Sequence, residues 1–134
     1  MLVDWNQLNY TAIIAGGFLY IIYGAIYYSV LLSDKKGSKN SDIAVNQSKG
    51  PVKYIYSVIS AFTISFFMSI IVHSFGSNHW TDGLIFGLII GVLISIVYLK
   101  NALFGLMSKR SFLIAIGDHL IIFSLLGALH GLLN

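Results

Sequence analysis

Two ionisable residues stand side by side in the last apolar run of the chain, Asp118 and His119 in Ile114-Ala115-Ile116-Gly117-Asp118-His119-Leu120. A carboxyl beside an imidazole can hold or pass a proton and can balance a cation. Setting an ionisable group in hydrocarbon costs about 2.5–3.5 kcal/mol on insertion scales, so such groups face a bundle interior or a water cavity and read as functional. A competing reading is a packing residue, protonated or bonded to a neighbouring Ser, Tyr or His; another is a shallow, wetted vestibule. His130 follows His119 by eleven residues, and eleven steps of a 3.6-residue helix return to within about 20° of the same face. The two imidazoles are too far apart along a helix to share a metal, yet both could line one polar path. His73, late in the second apolar run, could approach His130 at the same level. A metal there would need further ligands, and no metal site is expected. Tyr20 and Tyr23 lie deep in the first run and need partners for their hydroxyls, which Asp118 or His119 would supply if the first and last runs are neighbours. The expected polar path is thus Asp118, His119, His130, Tyr20 and His73.

The elements that must position these groups are four apolar runs, 10–32, 54–74, 84–103 and 112–133. Each compares with the roughly 17–25 residues that a helix needs to cross hydrocarbon. Of the 134 residues 57% are hydrophobic and 10% charged, whereas a soluble domain carries about 25% charge, and so few charges could not keep an open coil solvated. The absence of cysteine excludes disulfide scaffolds, Cys-ligated zinc and iron–sulfur clusters. The runs do not alternate, so strands are excluded, and helices are what remains in a bilayer. The fold class predicted is an all-α polytopic membrane bundle of four transmembrane helices, in a single domain spanning 1–134. Pro51 marks the start of the second helix, and Asn78 and Asp82 are expected caps around the third.

All eight Lys and Arg residues fall in two connections: Lys35, Lys36, Lys39, Lys49 and Lys53 in the loop 33–53, and Lys100, Lys109 and Arg110 between the third and fourth helices. By the positive-inside rule that side is cytoplasmic, which puts both termini outside a multi-pass protein of the cell membrane. Plain topology setting explains the lysines without an anionic-lipid or nucleic-acid partner, and so one-sided a distribution argues against dual insertion. Single Cys probes at Ser38 and Ser77 are expected to label from opposite faces. The leader 1–9 carries Asp4 and no basic residue, which reads as the start of a retained helix rather than a cleaved signal.

Small residues mark where helices would touch. Ser57, Ala61, Ser65, Ser69 and His73 recur at every fourth position of the second run, either a packing seam or one wall of a conduit. Gly83, Gly87 and Gly91 form overlapping GxxxG units, Gly127 and Gly131 repeat the spacing, and Gly16, Gly17 and Gly24 offer a third surface. In lipid such faces allow close backbone approach, and their number leans towards a homo-oligomer. Tyr10, Tyr27 and Tyr28 read as members of an interfacial aromatic belt.

At Asn9-Tyr10, at Gly24-Ala25-Ile26-Tyr27-Tyr28-Ser29, and at Gly117-Asp118-His119-Leu120 followed by Leu126-Gly127-Ala128, the chain resembles the bacterial membrane family called domain of unknown function 1761. The resemblance implies four helices over nearly the whole chain and flags Tyr28, Gly117 and His119 without giving them roles. Tyr27 stands where the family pattern has Trp, Val30 where it has Pro, and Asp118 where an aromatic residue is usual. No nucleophile–base pair, metal cluster or phosphate-cradling loop stands out, so no enzyme activity and no cofactor are expected. The expected function is a small proton-, ion- or solute-conducting carrier or channel around Asp118 and His119, with the lipid bilayer as partner. The alternative is a non-transporting accessory or structural protein whose polar groups serve packing.

Overall fold

The computed structural model describes residues 3–32 and 47–134. It is an all-α four-helix bundle of α1 (Tyr10–Leu32), α2 (Val52–Ser74), α3 (Trp80–Leu103) and α4 (Lys109–Leu133). All four helices are long and apolar enough to cross a membrane. Of the loop 33–53, residues 33–46 lie outside the described part, and with them Lys35, Lys36, Lys39 and Ser38.

Each helix end has a local cause. Asn9 caps α1, its side-chain oxygen accepting from Ala12 N at 3.0 Å. Pro51 stands at the N-cap of α2. Helices α2 and α3 stop in the same way: Gly76 N bonds His73 O and Ser77 N bonds Val72 O, while Gly105 N bonds Ala102 O and Leu106 N bonds Asn101 O. These are Schellman closures, which require a left-handed residue after the cap, and Gly76 and Gly105 hold φ of +64° and +79°. Gly105 is thus why α3 ends at Leu103. Ser108 caps α4 by accepting from Ser111 N, which starts that helix three residues before the expected 112. The expected caps of α3 are corrected. The N-cap is His79, with no side-chain bond, and Asp82 sits inside the first turn, where its charge complements the helix dipole.

The helices alternate in direction, and α4 is the hub. Its most extensive interface is with α3. A Cβ on Gly83 would overlap the carbonyl of Gly127, one on Gly87 the carbonyl of Phe123, and one on Gly131 the carbonyl of His79. A Cβ on Gly91 would come less close, 3.1 Å from Leu120 Cα. The Gly83–Gly87 and Gly127–Gly131 faces are therefore filled within the chain by backbone against backbone, whereas Gly16 and Gly17 meet the side chains of Ser65 and Phe62 and Gly24 meets nothing within 4 Å. Around this seam the interior is small or polar, with Ser65, Ser69, Asp118 and His130 buried beside Met68, Ile122, Phe123 and Leu126. Large apolar side chains point outward instead, Ile14, Phe18, Ile22 and Ile26 along α1 and Ile85, Ile89 and Ile96 along α3. That inversion suits a bundle whose surroundings are as apolar as its surface.

At the end of the bundle where α1 begins and α4 finishes, α1, α2 and α4 converge on Gly16. Ser65 Oγ donates to Ile13 O at 2.7 Å and lies 3.1 Å from His130 Nε2. The hydroxyl has one proton, already committed to the carbonyl, so Nε2–H of His130 is the donor. A Cβ on Gly16 would displace that hydroxyl. Gly16→Ala is expected to cost about 1–3 kcal/mol and distinctly less in a Ser65→Ala background. Denaturant unfolding in detergent, run as a double-mutant cycle, reads that coupling; strict additivity would show that the junction is not shared.

Candidate functional site

The other end of the bundle is open. Past the close Gly16 and Gly17 contacts with Ser65 and Phe62, α1 and α2 part and leave a cleft of about 940 Å³ against α4. Tyr20, Tyr23 and Tyr28 line it from α1, Lys53, Tyr54, Tyr56 and Ser57 from α2, and Asp118 and His119 from α4.

Asp118 is 7% exposed, and its Oδ2 accepts from Tyr28 Oη at 2.9 Å. Among the described residues that hydroxyl is its hydrogen-bond donor, and the nearest basic group is His119 Nδ1, 3.9 Å away. That nitrogen lies 2.7 Å from Ala115 O; a carbonyl can only accept, so Nδ1 carries the proton of the neutral ring. Nε2 then presents a lone pair, 3.5 Å from Tyr98 Oη, while the ring stands edge-on to Tyr98 and stacks on Phe123. The pair offers one carboxyl and one imidazole acceptor at the inner wall of the cleft. Tyr27 Oη donates to Ile114 O at 2.8 Å, passing over Gly117, where a Cβ would meet it. Two tyrosine hydroxyls thus fasten α1 to α4 within one turn of Asp118.

The expected polar path divides. Asp118, His119 and Tyr20 share the cleft. His130 is buried at the Ser65 junction nearer the far end. His73 lies at the end opposite the cleft mouth, 3.3 Å from Asn134 Oδ1. The two do not pair with each other, because each has a nearer partner on another element. That far end is held shut by backbone acceptors: Asn9 Nδ2 donates to Leu133 O at 2.6 Å and Asn134 Nδ2 to Ser77 O at 2.7 Å. Among the described residues no group of three or more His, Cys, Asp or Glu could hold a metal.

Ser65 and Ser69 are buried between helices, whereas Ser57 is exposed, bonds back to Lys53 O and lines the cleft. The expected partner for Asp118 is also corrected, from Tyr20 or Tyr23 to Tyr28. The hydroxyl of Tyr23 is buried without a partner among the described residues. Sequence reasoning missed Tyr27 and Tyr28 as inter-helix donors and Tyr54, Tyr56 and Lys53 as cleft walls. Helix level was the signal for the first two, since with α1 and α4 antiparallel the end of α1 must face the beginning of α4. No pattern in the sequence marks the second group.

A family model described as "Protein of unknown function (DUF1761)" matches residues 11–131. No curated protein matches the chain, and neither does any solved structure.

Proposed function

Since the chain belongs to the DUF1761 family, proteins of unknown function, we propose its activity from the site: it is a carrier that admits a small solute or ion into the cleft from one side of the membrane. The carrying observation is that Asp118, buried, bonded by Tyr28 and 3.9 Å from His119 Nδ1, shares an open cleft with that imidazole. A carboxyl kept in an apolar bundle at the wall of a cavity is the arrangement that substrate and proton pathways use. Closure of the opposite end by the Asn9, Asn134 and Ser65 bonds supports a carrier rather than a standing channel.

The mouth of the cleft is placed in the cytoplasm of a cell-membrane protein. What supports this reading is that Lys49, Lys53, Lys100, Lys109 and Arg110 flank the helix ends at the mouth, and the positive-inside rule assigns such an end to the cytoplasm. Ser77 is only 4% exposed, so Asn78 replaces it as the outer probe. Cys at Asn78 and Cys at Lys49, both exposed, are expected to react with an impermeant maleimide from opposite faces of oriented vesicles. Labelling of both from one face would overturn this orientation.

A structural reading has one observation in its favour: Tyr27 and Tyr28 use Ile114 O and Asp118 to clamp α1 on α4. Flux separates the two readings. Proteoliposomes of the wild type are expected to move at least one member of an ion and solute panel, and Asp118→Asn to lose that movement. No flux across the panel would leave the clamp as the role of Asp118.

A further inference from the structure

We infer that the cleft takes a lipophilic organic cation, an ammonium or phosphonium centre carried on apolar or aromatic groups. The inference rests on the proposed uptake into the cleft and adds the class of solute.

Charge sets the sign. The carboxyl of Asp118 lies at the inner wall, and the imidazole beside it donates its Nδ1–H to Ala115 O, leaving Nε2 as an acceptor. The basic side chain among the described lining residues, Lys53, is engaged at the mouth, donating to Gln47 Oε1 at 2.8 Å and standing 5.0 Å from the centroid of the Tyr54 ring. Among the described lining residues an anion would find no free donor cation beside it. Lys53 also shows that a ring face at the mouth is already turned to a positive charge.

Surface sets the chemistry. Five of the eight tyrosines in the chain, Tyr20, Tyr23, Tyr28, Tyr54 and Tyr56, line this one cleft. Ring faces attract a cation that has shed its water, by about 0.5–2 kcal/mol each. A bare metal ion would demand several oxygen ligands at fixed distance, whereas this wall supplies one carboxyl. The volume, about 940 Å³, suits a solute of drug-like size rather than a single ion.

Binding to the detergent-solubilised full chain tests the inference by equilibrium dialysis with three probes: tetraphenylphosphonium, the smaller neutral triphenylphosphine oxide and the near-isosteric anion tetraphenylborate. The cation is expected to bind at least about tenfold tighter than the other two, a difference of about 1.4 kcal/mol. Asp118→Asn should remove that preference while keeping the affinity for the neutral oxide, which also reports that the variant is folded. Tyr20→Leu should weaken the cation about three- to tenfold. Equal binding of the oxide or the borate by the wild type, or no binding of the cation, overturns the inference. Cation binding without flux supports the inference and defeats the carrier reading; inorganic-ion flux without cation binding does the reverse.

Discussion

Gly87→Ala is expected to destabilise the bundle by about 2–3 kcal/mol, and Gly83→Ala and Gly127→Ala by similar amounts. At each of these positions the added methyl would overlap a carbonyl of the facing helix. Backbone cannot rotate aside as a side chain would, so α3 must withdraw from α4 along its length. Withdrawal forfeits many small dispersion contacts at once, and in lipid those contacts are the main force holding helices together. Gly24→Ala is the matched control. Its Cβ would meet nothing within 4 Å, so the change should be neutral or stabilise by up to about 1 kcal/mol through helix propensity. Unfolding in detergent by a denaturing surfactant, followed by circular dichroism, gives both numbers. Equal stability of Gly87→Ala and Gly24→Ala would remove the seam from the description, and a loss of stability that varied with protein concentration would return these glycines to an intermolecular interface.

The helices were legible in the sequence because spanning length is a property of one run at a time. Their ends were legible only where a residue acts locally, as Pro51 does. The stop of α3 at Leu103 agrees with the expected 103, whereas Ser108 acts equally locally but the charged Lys109 and Arg110 after it hid the start of α4. Contacts between helices were harder, because a run of sequence carries no statement of its partner. Gly83, Gly87 and Gly91 announced a close approach, yet α4 of the same chain and a second chain satisfy that spacing equally well. The acceptor problem at Asp118 was the same. Tyr20 was chosen because it is deep in the first helix, but depth is measured from both ends of an antiparallel pair. Tyr28 lies eighteen residues into α1, and Asp118 lies fifteen before the end of α4, whereas Tyr20 lies only ten residues in. At 1.5 Å per residue that puts Tyr20 roughly 7 Å off the level of the carboxyl. A tyrosine so displaced can line the same cleft without bonding to it, which is where Tyr20 is found.

The cleft and the seam have a common origin. Small residues bring α3 against α4 and the first half of α1 against α2, and the same closeness leaves the tyrosine-bearing second half of α1 apart from the start of α2. Ser65 and Gly16 mark the pivot, so the polar bonds at the closed end and the cavity at the open end are two consequences of one arrangement. A carrier of this shape would be rigid along α3–α4, where backbones touch, and would move where α1 and α2 meet the hub through side chains.

Asp118→Asn is expected to cut flux by about 100-fold or more, the largest functional effect in the molecule. The amide keeps the size of the carboxyl and an oxygen that can still accept from Tyr28, so the clamp between α1 and α4 survives. Charge alone is removed. Two unit charges about 4 Å apart attract by roughly 4 kcal/mol at an effective dielectric of 20, and each 1.4 kcal/mol is a factor of ten. Tyr28→Phe makes the opposite cut. It deletes the clamp, at about 1–3 kcal/mol of stability, and leaves the carboxyl in place, so flux at a temperature where the variant stays folded should fall far less. His73→Gln, remote from the cleft, should leave flux unchanged. Tracer uptake into proteoliposomes, normalised to folded protein, separates charge from clamp. Were Asp118→Asn to lose only stability while retaining wild-type flux, the carboxyl would be a packing group, and the path of the solute would lie elsewhere in the bundle.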